Sequence, residues 1–201
     1  GDDTWLNRDT VRETLRVIEE SLRAGRGAAL VGGELEDVGL QLEVFGLHAA
    51  RLDLRQHSGQ HELAVAEMLG RDDYPRLAEA EKTTLLGAAL AGARPVDPAA
   101  VAKFSAATRD VVEPLLLVGR VVARCGPEAL GIYIISMTDG VSDVLEVQLL
   151  MRLPGAELPI APLFETLEDL NRAPEILAAL FSHPDYAPQL ARHDRWQHVK
   201  L

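Results

Sequence analysis

Cysteine is almost absent from this chain. Cys125 is the only one in 201 residues, which excludes an internal disulfide and any metal cluster built on thiolates, and fits a reducing, cytoplasmic setting. Its surroundings, VVARCGPEAL (Val121 to Leu130), read as a helix end followed by Gly126 and Pro127, so the thiol is structural rather than nucleophilic. Aromatic residues are sparse at 4%, leaving Leu, Ala and Val to fill the interior. Positive charge is short as well. Thirty-one acids against twenty Lys plus Arg give a net charge of −11, which opposes a phosphate backbone and excludes nucleic acid as the expected partner. No apolar run approaches the ~20 residues needed to span a bilayer. The N-terminus lacks a charged-then-apolar signal layout, so a soluble protein with no membrane partner is expected.

What is present is an ordinary globular composition, 47% hydrophobic and 25% charged in 21.8 kDa. That is enough to bury a substantial core, and a single domain over residues 1–201 is expected. Thr10 and Glu13 have capping-box spacing before a face of Val11, Leu15, Ile18 and Leu22, and Gly25 closes this first helix. Leu35, Val38, Leu42 and Phe45 define a second helix over Glu34 to Phe45, stopped by Gly46. Ser58 to Leu69, Glu79 to Leu90 and Ser105 to Arg124 read as further helices. The loop from Gly92 to Ala100 is too short to separate domains.

Three segments read as strands. HAARLDLRQ (His48 to Gln56) alternates, with Ala50, Leu52 and Leu54 on one side and Arg51, Asp53 and Arg55 on the other. GIYIISM (Gly131 to Met137) is apolar and β-branched, with Asp139 and Gly140 just after and Ser142 placed to cap the next helix. LPIAPLF (Leu158 to Phe164) is too short for a helix and carries Pro159 and Pro162, and a helix from Thr166 to about Phe181 follows. A fourth strand is expected near His198. Helices separate all successive strands, which forces parallel pairing with right-handed crossovers. The expected fold is helix-rich α/β with about four parallel strands, covering helices and a helical insertion. It corresponds to an open sheet or half of an eight-stranded barrel.

In a parallel sheet the carboxyl ends of the strands converge on one face, where such folds place their chemistry. Arg55, the pair Ser136 and Met137, and Glu165 stand at the three ends. A guanidinium there grips a phosphate or carboxylate with two parallel hydrogen bonds, and a carboxylate offers oxygen to Mg²⁺ or Mn²⁺. Each residue has a plainer reading: Arg55 in a salt bridge to Asp53 or Glu62, and Glu165 as a first-turn acid favoured by the helix dipole. His57 and His61 are four apart, a metal-ligand spacing. No Glu follows the first His, so a solvated polar face accounts for them better. No glycine pattern follows a strand in the dinucleotide-binding manner.

VFGLHAARLDLRQHS (Val44 to Ser58), YIISMTDGVSDVLEV (Tyr133 to Val147) and PIAPLFETLEDLNRAPEIL (Pro159 to Leu177) together resemble, in order and spacing, the middle of bacterial-type phosphoenolpyruvate carboxylase. The likeness covers the chain from about Thr10 onward. It implies a (β/α)8 TIM-type barrel in a homotetrameric, allosteric lyase that converts phosphoenolpyruvate and bicarbonate to oxaloacetate and phosphate with Mg²⁺ or Mn²⁺. Arg55 matches the arginine that contacts the substrate phosphate, Glu165 one of two acidic metal ligands, and Leu163 an apolar residue lining the carbon dioxide pocket. The second acidic ligand, in a Gly-Tyr-Ser-Asp run after the fourth strand, is missing here, as are the upstream catalytic histidine and the downstream glycine- and arginine-rich loop. Lys200 stands where the family has a pocket Met, and the Lys200–Leu201 pair, like Gly1, has the form of a cloning remnant. The resemblance thus implies a partial barrel, inactive in isolation and prone to self-association through its open edges. The competing expectation is a non-catalytic α/β binding or assembly module that uses the same sheet face.

Overall fold

The computed structural model describes residues 7–93, 98–152 and 157–201. The predicted loop from Gly92 to Ala100 therefore falls partly outside the described residues, and Gly1 lies outside them. The chain divides into two compact units, Gly1–Leu52 with Arg120–Leu130, and Asp53–Gly119 with Gly131–Leu201.

The first unit is built on two helices, α1 (Arg8–Ala24) and α2 (Glu34–Phe45). The cap of α1 differs from expectation: Asn7, not Thr10, is the N-cap, its side chain accepting from the Thr10 amide at 2.8 Å. Asn closes the first turn as well as Thr does, and a cap three residues further upstream wins the extra turn. No residue of α1 is buried, and its polar surface is laced with ion pairs. Arg12 reaches Glu43 of α2 at 2.6 Å and Asp9 at 2.7 Å, and Arg16 pairs with Glu13 and Glu20. The α2 boundaries match the sequence reading at both ends, since Gly33 and Gly46 adopt positive φ and an acidic first turn complements the helix dipole.

The second unit holds the sheet, three parallel strands in the order β1 (Leu52–His57), β2 (Leu130–Ser136), β3 (Ile160–Pro162). Tyr133, Ile134 and Ile135 stand opposite Ile160, Ala161 and Pro162. The expected fourth strand is reduced to one parallel bridge, Leu163 to Lys200, with the Lys200 amide donating to Pro162 and the Phe164 amide to Lys200. The sheet is open and does not close into a barrel. β3 is shorter than its apolar run because Pro159 and Pro162 lack the N–H that a longer ladder needs. Both residues of the expected inward set fail to bury fully on β1, where Leu52 is 65% exposed and Leu54 only half-buried.

The remaining helices are α3 (Ser58–Leu69), α4 (Glu79–Gly92), α5 (Pro98–Val101), α6 (Ala106–Cys125), α7 (Val141–Arg152), α8 (Leu167–Ser182) and α9 (Ala187–Arg192). The division between units falls within α6, after Gly119. Helix α7 is the spine: ten of its twelve residues are buried, and it packs on α3, α4, α8 and β3. A helix apolar on nearly all sides belongs in an interior. Ser142 does not cap α7 as expected. Its amide and hydroxyl both donate to Glu79 of α4, at 2.8 and 2.7 Å, so the carboxylate of a neighbouring helix serves the α7 N-terminus instead. Thr166 caps α8 in a capping box with Asp169, and Phe164 then packs against Ala173 and Ile176. No described helix is long and apolar enough to cross a membrane.

Candidate functional site at the strand ends

The register of three parallel strands sets which side chains share the carboxyl edge of the sheet. Arg55 leaves β1 two residues before its end, Ser136 and Met137 leave β2, and Leu163 and Glu165 follow β3. The structure brings two of the predicted residues together across 110 positions: Arg55 Nη2 donates to Glu165 Oε1 at 3.1 Å. The alternative partners for Arg55 are engaged elsewhere. Asp53 accepts from the Ile132 amide at 3.0 Å, and Glu62 pairs with Lys82 of α4. The charged face of β1 is therefore explained residue by residue rather than as a ladder of salt bridges.

The Arg55–Glu165 pair is open to water, with side-chain exposures of 55% and 42%. An ion pair this exposed contributes little to stability, so its residues are held at the rim by backbone placement and remain free to exchange partners. Leu163, two positions before Glu165, is 6% exposed. It supplies an apolar wall immediately behind the acid. Asp139, in the turn after β2, binds Arg172 of α8 through its side chain, and its carbonyl accepts a second bond from Arg172 at 2.8 Å. That pair holds the guanidinium pKa above its ordinary value and was not legible from spacing.

Of the two histidines, His57 stands in the solvated setting expected of it and His61 does not. His57 is exposed and caps α3 by accepting from the Gly59 amide at 3.0 Å. His61 is fully buried, with Nε2 2.9 Å from the Tyr133 hydroxyl. Burial, and secondarily the charge of His57, pushes its pKa down to about 3, so it is neutral at any working pH. It is a core group of the α3–β2 contact, and the i,i+4 spacing does not make a metal site. Cys125 ends α6, the helix end that its sequence surroundings predict.

A second polar region lies between α3, α4 and α7. A cavity of about 210 Å³ is lined by Glu62, Glu79, Lys82, Asp143 and neighbouring residues, and includes neither Arg55 nor Glu165. Behind it Glu146 is 1% exposed, accepting from the Tyr74 hydroxyl at 2.9 Å. Burial raises the Glu146 pKa well above the usual carboxylate range, and burial lifts Asp143 to about 6. Sequence reading missed this region because Glu146 sits within the apolar run VLEVQLL, where only its position on an all-buried helix marks it out.

As to a divalent ion, Glu165 offers hard oxygen at the rim, but among the described residues no group of three or more His, Cys, Asp or Glu is arranged to hold a metal. The donor set fits one arm of a Mg²⁺ or Mn²⁺ shell and not a complete one.

A parallel α/β sheet with a guanidinium, a carboxylate and an apolar side chain at its carboxyl edge defines the class: an open, helix-covered α/β segment with charged groups where such sheets hold their ligands. The family model for phosphoenolpyruvate carboxylase matches residues 2–201, and the chain belongs to that family. It is 36% identical to the phosphoenolpyruvate carboxylase of Roseiflexus castenholzii over 98% of this chain, and 40% identical to that of Synechocystis over 95%. The enzyme of Chromohalobacter salexigens is 42% identical over 78%. The chain spans only about a fifth of these relatives, 22%, 19% and 18% of their lengths.

Proposed function

We propose that this chain is one segment of a phosphoenolpyruvate carboxylase and carries one side of its reaction site, with Arg55 on the substrate phosphate, Glu165 as one of the metal's ligands and Leu163 against carbon dioxide. One observation carries the reading: Arg55 and Glu165, 110 residues apart, lie 3.1 Å apart at the carboxyl edge of the sheet. The whole reaction joins bicarbonate to phosphoenolpyruvate and releases phosphate. The Arg55 guanidinium neutralises phosphoryl charge and fixes its orientation through paired N–H donors, releasing Glu165 as it does so. The freed carboxylate offers its oxygens to Mg²⁺ or Mn²⁺, which supplies electrostatic stabilisation of developing negative charge when bound. Leu163 keeps water from the carbon centre, since a buried isobutyl group offers no hydrogen bond to compete.

A complete carboxylase bearing this segment tests the assignment. Glu165→Ala and Arg55→Ala are each expected to lower kcat/KM for phosphoenolpyruvate by about 100-fold or more, the scale of losing one charge-stabilising group. Wild-type turnover in either would remove that residue from the site. The homotetramer, the allosteric control and the cytoplasmic setting implied by the resemblance belong to the complete enzyme in this reading. Exposed Leu167, Trp196 and Leu201, at 80%, 75% and 85%, support self-association of the isolated piece.

A further inference from the structure

Between Arg55 and Glu165 the strand ends are tied together by hydroxyl groups that touch neither residue. Ser58, the first residue of α3, donates from Oγ to the Met137 carbonyl at 2.7 Å, and Ser136 donates from Oγ back to the Gln56 carbonyl at 3.2 Å. β1 and β2 are thus clasped reciprocally beyond their ladder. On the other side of β2, the Ile135 carbonyl accepts from the Leu163 amide and from Thr138 Oγ1, both at 3.0 Å, and Thr138 Oγ1 takes a longer share of the same Leu163 amide at 3.3 Å. All three hydroxyls are buried, Thr138 to 1% exposure. Met137, which they bracket, has φ +58°, the left-handed region that a non-glycine side chain enters only when its surroundings over-determine it. That single left-handed residue turns β2 out of the sheet, and the hydroxyls on either side hold it there.

We infer that Ser58, Ser136 and Thr138 form a positioning clasp that fixes the separation of Arg55 and Glu165 by locking Met137 in its left-handed turn. The inference rests on the reading of Arg55 and Glu165 given above. The clasp runs without a gap from β1, which carries Arg55, through β2 to Leu163, two residues from Glu165. Each hydroxyl bonds backbone, so its product is a backbone position and not a surface charge. A displacement of about 1 Å at a reacting group is enough to cost about 100-fold in rate, and an exposed ion pair has no stiffness of its own to resist such a shift.

The test uses a complete carboxylase bearing this segment, assayed with phosphoenolpyruvate, bicarbonate and Mn²⁺, beside hydrogen exchange on the 201-residue chain. Thr138→Val, which keeps shape and removes the hydroxyl, is expected to lower kcat by about tenfold or more while KM for phosphoenolpyruvate moves less than about threefold. Thr138→Ser restores kcat to within about threefold of wild type, the mark of a hydroxyl effect. In the 201-residue chain Thr138→Val speeds exchange at the Leu163 amide by no more than about threefold, since that amide keeps its bond to the Ile135 carbonyl, and the α7 amides keep their protection. Ser58→Ala, at the far end of the clasp, shifts kcat in the same direction and decides the matter if Thr138→Val does not fold. Wild-type kcat in Ser58→Ala and in any folded Thr138→Val, with Glu165→Ala inactive, overturns the clasp and leaves the site assignment standing. Failure of Thr138→Ser to recover kcat also overturns it, by making the effect one of packing. Full turnover in Glu165→Ala removes the site assignment itself, and the clasp with it.

Discussion

Helices α1 and α7 manage their acids in opposite ways. In α1, seventeen residues long, nothing is buried, and Glu13, Glu19 and Glu20 pair with Arg16 and Arg23 in water. The guanidinium of Arg16 lowers the Glu13 pKa, and Glu13 first among its partners pushes the Arg16 pKa up. In α7 Glu146 is buried and Asp143 half-buried, and both hold hydrogen bonds to neutral donors and have raised pKa values. The same residue types therefore decorate one helix and strain the other. Exposed pairs are screened and lose side-chain entropy on forming, whereas buried carboxyls keep their protons because ionising them away from water is costly. The molecule's stability is accordingly expected to sit in the α7 seam and its pH response in that seam's acids.

The largest expected effect comes from cutting into that seam. Leu150 is fully buried in α7, and Leu150→Ala should cost about 2–5 kcal/mol in chemical denaturation, the range for a large-to-small change in a packed core. A loss below about 1 kcal/mol would mean that α7 is not the spine.

Next in size is the pH dependence. With folded pKa values above their unfolded ones, Asp143 and Glu146 hold protons that the unfolded chain releases. Their contribution to stability is thus fully present below the unfolded pKa and is lost as pH rises from about 4 through about 6 and beyond. Exposed Asp73, held down to about 2 by Arg71, works in the opposite sense, and only at lower pH. Glu146→Gln keeps an acceptor for Tyr74 and removes the titration, so melting curves at pH 5 and pH 8 should draw together. An unchanged gap between them would acquit Glu146.

The Thr166 cap sits outside the seam. Thr166→Ala, which deletes the hydroxyl accepting from the Asp169 amide, should cost about 1 kcal/mol, with the change in hydrogen exchange confined to the first turn of α8. Smallest of all is Arg16→Ala on α1, where the melting temperature should not move measurably and 1 M salt should leave wild type and variant alike. A clear destabilisation there would break the contrast between the two helices.

How much of this was legible in the sequence follows from the range of the forces involved. The ends of α2 and α3 and the start of α8 were readable because caps and glycines act within a few residues: Gly33 and Gly46 bound α2, and Thr166 with Asp169 opens α8. The parallel order of strands followed from the intervening helices. Pairing was not readable. Local spacing offered Arg55 only Asp53 or Glu62, and its partner in the fold is 110 residues away. His61 looked like half of a polar pair because its spacing to His57 is local, while the Tyr133 hydroxyl that takes it into the core is not. The family resemblance pointed to Arg55, Leu163 and Glu165, whereas Thr138 and Glu146 acquire their meaning only from neighbours supplied by other elements.

The central claim, that this segment holds one side of a reaction site and cannot complete it, is tested most directly by assaying the purified 201-residue chain for phosphate release from phosphoenolpyruvate and bicarbonate with Mg²⁺. No release above the uncatalysed rate is expected, since among the described residues no group of three or more His, Cys, Asp or Glu is arranged to hold the metal. Sustained turnover by this chain alone would contradict the account.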